Sequence, residues 1–273
     1  MSRDDGCIDY DPSAFDNMVA RGAGGRAVPL QAEKVELGCS RVDPAFFLSQ
    51  NVRDIISDPA VLVDAGGNTS FKTDTRFTSG SRAECILLAR KQCRSGKIML
   101  GRHNKHSASS FAVGKADAGR QREVWDGSEL SKASLPPPAP PLLSSPSDLS
   151  VLEASDDEPL WMSVRDGQSF CDQLSLDGSL REFFAKPAVT VAELCDLPLK
   201  GSHHAGQEPL TRDELIACVF HQPCDELHAD TRLHPLSACW PMGYSWASLV
   251  AQSVMTGTVK KAGLNDCQFL HAE

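Results

Sequence analysis

Apolar residues along this chain come in short runs whose spacing changes with position. Some alternate with polar residues, as one-sided strands do, and others recur at three- and four-residue steps, as helices do. The clearest helical pattern runs from Ser245 to Lys261. Lys260 and Lys261 fall in its last turn, where they oppose the helix dipole, and Gly263 follows as a C′ residue. Ser81-Arg-Ala-Glu84 is a capping-box pattern leading into Cys85 and Leu88, with Gly96 as the stop. The same pattern opens Thr190-Val-Ala-Glu193 and Thr211-Arg-Asp-Glu214, and another helix is expected over Ser179 to Lys186. Asp43-Pro44, an N-cap followed by proline, predicts a helical start before Phe46, Phe47 and Leu48.

Strands are expected where short apolar pieces meet turn residues. Phe111–Val113 and Glu123–Trp125 read as a hairpin with a basic loop, and Leu160–Val164 as a strand ending at Arg165-Asp166. Leu236–Trp240 reads as a strand that runs into the tight turn beginning Pro241-Met-Gly243. The stretch SLPPPAPPLLSSPSD after Ala133 cannot be helix and is expected to cross a surface in extended form. Together these elements predict an α+β fold. They divide the chain into a poorly ordered leader (1–41), a helical lead-in (42–110), a mixed region (111–263) containing the proline-rich connector (133–148), and a tail (264–273).

Composition narrows the function classes. A hydrophobic content of 41% is enough to bury a core. The net charge of −9 argues against coating nucleic acid or membrane by charge alone. Between Arg82 and Lys132, however, eleven Lys or Arg face five Asp or Glu, so this segment could meet phosphates within an acidic chain. The ten cysteines follow no repeating spacing, and the N-terminus lacks an apolar run of the signal-peptide kind. Reduced thiols, an intracellular location and no membrane span are the expectation.

Three pieces carry candidate chemistry: GKADAGRQREVWDG at 114–127, SVRDGQSFCDQL at 163–174 and WPMGYSWASLVAQ at 240–252. Lys115, Arg120 and Arg122 concentrate cations on one hairpin, and arginine adds planar two-pronged contacts to phosphate oxygens. Asp166 closes a strand, where a sheet fixes its direction. In this order the three pieces resemble the fingers and palm motifs of a retrotransposon-type reverse transcriptase, an RNA-directed DNA polymerase, over roughly Phe111 to Gly263.

The resemblance implies a right-hand polymerase fold represented by its fingers and part of its palm. It implies Lys115, Arg120 and Arg122 on the triphosphate of a deoxynucleotide. Asp166 would be a catalytic aspartate binding Mg²⁺ for two-metal nucleotidyl transfer on an RNA or DNA template-primer. Phe170 and Cys171 would lie near the sugar, and Met242, Gly243 and Gln252 would form the floor beneath nucleotide and template. Cys171 departs from the family's bulky aromatic, which leaves Phe170 to screen the sugar, and Met242 stands where many relatives carry glutamine. The aromatic-x-Asp-Asp element that completes such a palm does not follow Gly263 in this sequence. The expectation is therefore a chain that does not polymerise alone and lacks a C-terminal polymerase portion.

Other readings compete. Cys218, His221, Cys224 and His228 place four possible zinc ligands within eleven residues, although their spacing matches no finger or knuckle pattern. An interaction protein built on the proline-rich segment, or a decayed relic of a transposable element, is another reading, favoured by the 75 residues between Asp166 and Pro241. Neither a Gly-x-Ser-x-Gly elbow nor a Gly-x₄-Gly-Lys-Ser/Thr phosphate loop is present.

Overall fold

The structure, a computed structural model, describes residues 27–39, 41–63, 70–115, 119–138, 169–196, 208–219 and 227–263. Asp166 with its strand Leu160–Val164, residues 1–26 of the leader, the connector from position 139 and the tail 264–273 lie outside the described residues. The first half of the chain forms β1 (Ala27–Val28), α1 (Gln50–Ser57), α2 (Pro59–Val63), α3 (Arg82–Ser95), β2 (Ile98–Gly101), β3 (Ser110–Gly114), β4 (Gln121–Trp125) and α4 (Ser128–Ala133). The second half adds α5 (Phe170–Gln173), β5 (Val189–Thr190), α6 (Val191–Cys195), α7 (Arg212–Cys218), β6 (Arg232–Ser237) and α8 (Ser245–Lys261).

The fold is mixed α+β, with two small antiparallel sheets among the described residues. One runs β1-β3-β4 and the other β2-β6-β5. The predicted hairpin is β3–β4, and Lys115 N–H donates to the Arg120 carbonyl at 3.1 Å where the strands open into their loop.

α3 sits between two apolar clusters. Ile86, Ala89 and Cys93 pack with α6, α7, β2 and Leu233, while Leu87 and Leu88 pack with Leu30, Ala32, Val35 and Ala112. A helix buried on so many sides must find partners for its polar residues. Arg90 does so through Nη2, which donates to the Glu193 and Asp196 carbonyls at 2.7 and 2.9 Å and closes the end of α6. Thr190 and Thr211 make the two predicted capping boxes, and their glutamates also pair with α3, Glu193 with Arg82 and Glu214 with Arg94. A third, larger cluster gathers Trp246, Leu249 and Val250 of α8 with Trp125, Phe184, Trp240 and the helices α1 and α2.

Four differences from the sequence expectations have physical reasons. Residues 27–39, assigned to the leader, are packed, with Leu30, Ala32 and Val35 buried under α3. The Ser81 hydroxyl accepts from Glu84 N–H as predicted, but the Glu84 carboxylate turns to the Ala32 N–H at 2.7 Å, trading half of the capping box for an anchor on this N-terminal segment. The helix expected over Ser179–Lys186 is a 3-10 turn at Gly178–Phe183, because Lys186 precedes Pro187 and Ala185 pairs with Ser107 and Leu236. β6 begins four residues earlier than expected and passes through Pro235. That proline is tolerated because its neighbour on that edge needs only its carbonyl, which accepts from Lys186 N–H at 2.8 Å.

The turn at Pro241-Met-Gly243 leans on the end of β4. The Trp125 N–H donates to the Met242 carbonyl at 2.9 Å, and Gly243, at φ +108°, lies so close that an added Cβ would overlap the Trp125 carbonyl oxygen. Gly263 shares the left-handed conformation, at φ +102°, but faces open space. Gly243→Ala is therefore expected to cost about 3 kcal/mol, combining backbone strain with steric overlap, and Gly263→Ala about 1 kcal/mol from strain alone. Urea unfolding of both variants checks this. Equal losses would show that the turn does not approach β4 so closely.

Candidate functional site

Four of the residues singled out from sequence line one small cavity: Lys115 and Arg122 of the hairpin, Cys171 of α5, and Met242 of the turn before α8. They come from three stretches of chain separated by dozens of residues. Glu36, Lys97, Gln121, Glu123, Ser169 and Asp172 complete the lining. The cavity encloses about 20 Å³, space for roughly one water molecule. Larger clefts lie elsewhere. One of about 860 Å³ runs past Lys72, Thr75, Ser109 and Glu129, and another of about 520 Å³ lies between Arg53, Asp177 and Trp240.

The other candidates sit differently. Arg120 lies outside the cavity lining, yet its Nη1 donates to the Glu36 carboxylate at 2.8 Å. Phe170 packs against the large apolar cluster. Gln252 lies on α8, where its amide donates to Thr256 at 3.5 Å. Gly243 permits a close backbone approach, and what lies against it is the Trp125 carbonyl at the end of β4.

Behind the cavity lies a buried ionic network that the sequence reading did not identify. The Glu123 carboxylate accepts from Lys186 and from the Gln92 amide, both at 2.5 Å, and Lys97 lies 3.3 Å away. The Lys97 ammonium also reaches Asp172 at 2.8 Å, and Lys186 donates to Gln92 at 2.8 Å. Burial opposes charge on Glu123, but the ammoniums of Lys186 and Lys97 outweigh it and hold the carboxyl at about 2. Burial likewise disfavours the charged form of Lys97, and Glu123 and Asp172 reverse that, raising its pKa. One signal for this network was available. In Gln121-Arg-Glu-Val-Trp125, Glu123 alternates in phase with Trp125 and so shares its inward face, where a carboxylate requires a partner.

On the solvent side, Glu36 receives both hairpin cations. Its carboxylate bonds Lys115 and Arg120 while only 13% exposed, and the Lys115 hydrogen bond is the largest cause of its lowered pKa. Arg122, by contrast, is exposed and has no carboxylate partner among the described residues. Burial and, after it, the neighbouring Asp172 push the Cys171 thiol up, which favours its neutral form. Ser169 adopts φ +47°, an uncommon conformation for a residue other than glycine, and helps to form the same wall.

The rival zinc set is only partly described. The Cys218 thiol is buried against Cys93, whose carbonyl it faces at 3.5 Å, while His228 is exposed; His221 and Cys224 lie outside the described residues. Among the described residues no group of three or more His, Cys, Asp or Glu is placed to hold a metal ion. The described carboxylates at the cavity are all engaged by cations, and the Asp172 carboxylate is approached by the Gly38 N–H at 3.3 Å as well. Magnesium therefore finds no open ligand set in the part of the site that is described. The described cysteines are all free thiols. No described helix is long and apolar enough to cross a membrane. No protein-family model matches this chain, and neither does any curated protein.

The network generates a stability prediction with a pH signature. Glu123→Gln keeps the shape but leaves two buried ammoniums without their shared counter-charge, a loss expected to be about 3 kcal/mol in chemical denaturation. Because the folded carboxyl is lowered to about 2, its contribution is complete above the ordinary carboxylate range and is lost as pH falls through 4.5 toward 2. Lys97, shifted upward, contributes below its ordinary 10.5 and loses that contribution at more alkaline pH. The acid limb of the stability profile should flatten in Glu123→Gln. An unchanged acid limb would place the titrating group elsewhere.

Proposed function

We propose that this chain carries the fingers and part of the palm of a polymerase similar to retrotransposon reverse transcriptases, and that the described site serves to bind the triphosphate of a nucleotide. One observation carries this reading. Lys115 and Arg122, Cys171, and Met242, chosen from three separate motifs, meet at one cavity. A hairpin bearing cations, a short helix after the aspartate motif and a glycine turn ahead of an apolar helix are the parts that such a site needs side by side. The Trp125–Met242 hydrogen bond joins two of those parts directly.

The division of labour follows from the charges. Arg122 offers an uncommitted guanidinium, while Lys115 and Arg120 can exchange a carboxylate for phosphate oxygens, which match guanidinium and ammonium donors equally well. Lys97 is committed to Glu123 and Asp172 and so acts as a fixed part of the wall. With the described carboxylates engaged, the proposal concerns nucleotide binding; nucleotidyl transfer needs Asp166 and further metal ligands beyond the described residues.

Binding of a deoxynucleoside triphosphate to the full chain at low ionic strength tests the reading. Lys115→Ala and Arg122→Ala should each weaken binding by roughly tenfold, with little dependence on the base and a steep loss as salt rises. Affinity that is absent, or indifferent to both substitutions, would sink the assignment.

A further inference from the structure

The cavity is too small for the ligand that its residues suit, and what fills the anionic place is part of the protein. Nucleotide-sized ligands occupy sites of several hundred Å³, against about 20 Å³ here. The place where a phosphate would meet Lys115 and Arg120 is taken by the carboxylate of Glu36, bonded to both. Glu36 does not arrive there by chance rotation of a surface side chain. Its own N–H donates to the Gln121 carbonyl at 3.2 Å, and the preceding Val35 pairs with Gln121, which sets the residue against the open end of the hairpin.

The segment that carries it is firmly held on both sides. Lys91 on α3 donates to the Ala32 and Val35 carbonyls at 3.1 and 2.6 Å, Glu84 holds the Ala32 N–H, and the Gln121 side chain bonds Gln31 N–H and the Pro29 carbonyl, each at 2.9 Å. Beyond Glu36, Gly38 packs so tightly on α5 that an added Cβ would lie 2.6 Å from the Asp172 Cβ. The backbone on either side of Glu36 is thus fixed, and the motion available at low cost is rotation of the Glu36 side chain.

Resting on the nucleotide reading above, we propose that Glu36 is a built-in phosphate surrogate: it neutralises Lys115 and Arg120, and an anionic ligand enters this site only by displacing its carboxylate. Charge selects the class of ligand that can do so. A single carboxylate would merely replace one acceptor by an equal one, whereas a di- or triphosphate brings several anionic oxygens and can engage Arg122 as well. Glu36 then sets a threshold that rejects monoanions and admits polyphosphates.

Inorganic triphosphate and acetate serve as probes, titrated calorimetrically into the full chain at low ionic strength. Glu36→Gln should bind triphosphate roughly tenfold more tightly than the native chain, the scale expected when one opposing charge is removed beside an anion in a partly solvated site. Acetate should bind neither strongly. Glu33→Gln removes the same charge from an exposed position on the same segment and should leave affinity unchanged. Adding Lys115→Ala to Glu36→Gln should abolish the gain, and thermal melting of each variant separates loss of fold from loss of binding. Equal triphosphate affinity in the native chain and Glu36→Gln, with Lys115 still required, would overturn the surrogate role and leave the nucleotide site standing. An equal gain from Glu33→Gln would reduce the effect to net charge and also overturn it. No binding by any variant would overturn both.

Discussion

Glu123 is the residue on which the arrangement depends. It is a carboxylate on a short edge strand, almost fully removed from water, and it survives there because Lys186, Lys97 and Gln92 converge on it. Taking these charges out of water costs several kcal/mol each, and their mutual attraction returns that only in good geometry. The network is therefore a weak source of net stability but a strong source of specificity. A one-residue slip of β4 would turn Glu123 outward and Arg122 inward, leaving Lys186 without a carboxylate and Lys97 with Asp172 alone, and adding a third cation to them. Its partners come from α3, the turn before β2 and the approach to β5, and Lys97 carries the network on to Asp172 of α5, so this network ties five pieces of chain together.

The same register decides what faces the small cavity. With Glu123 held inward, Trp125 two residues later enters the large apolar cluster and its backbone N–H meets Met242. The turn at Gly243 is thereby set against β4, and α8 starts from it with Trp246 Nε1 donating to the Leu135 carbonyl at 2.6 Å and Tyr244 bonding Ser134 at 2.8 Å. Burial raises the Tyr244 hydroxyl to about 12, so at neutral pH it is a neutral donor to Ser134. Arg122, between two inward residues, is left exposed at the mouth. Rigidity behind the site and an uncommitted cation at its front are two consequences of one strand register.

Local signals in the sequence foretold local structure well. Ser245–Lys261 forms a helix with the predicted bounds, both threonine capping boxes close, and the basic hairpin pairs as expected. Each depends on interactions within a few residues, which spacing can encode. What the sequence left hidden depends on partners far along the chain. The Glu84 carboxylate reaches Ala32, fifty-two residues away, while its N–H stays on the Ser81 hydroxyl. Lys186 reads as the end of a helix until Pro187 and the pairing of Ala185 with Leu236 are both considered. The mixed α+β class was legible. The meeting of Lys115, Arg122, Cys171 and Met242 joins distant stretches that no local pattern ties together, and Glu36 was not legible at all, since an isolated glutamate in an apparently loose segment carries no pattern.

Size and chemistry point to different places on this molecule, size to the large groove and charge order to the small cavity. The 860 Å³ groove has room for a large ligand, but its cations Lys72, Arg76 and Lys132 are matched in number by the carboxylates of Asp74, Asp126 and Glu129 on an open surface, where water competes with every contact. At the small cavity the same number of cations meets the same number of carboxylates, yet there the charges are layered: Lys97, Glu123 and Asp172 are locked together behind, and Lys115, Glu36 and Arg122 face outward. With Lys186 bonded to Glu123 behind it, this buried layer is neutral overall and leaves the outer cations unconsumed. Displacing one carboxylate then releases Lys115 and Arg120 beside an already uncommitted Arg122. A partly enclosed cavity with that charge order offers an anion more than an open groove with equal numbers of charges, because displacing the Glu36 side chain alone raises the positive charge that a ligand meets.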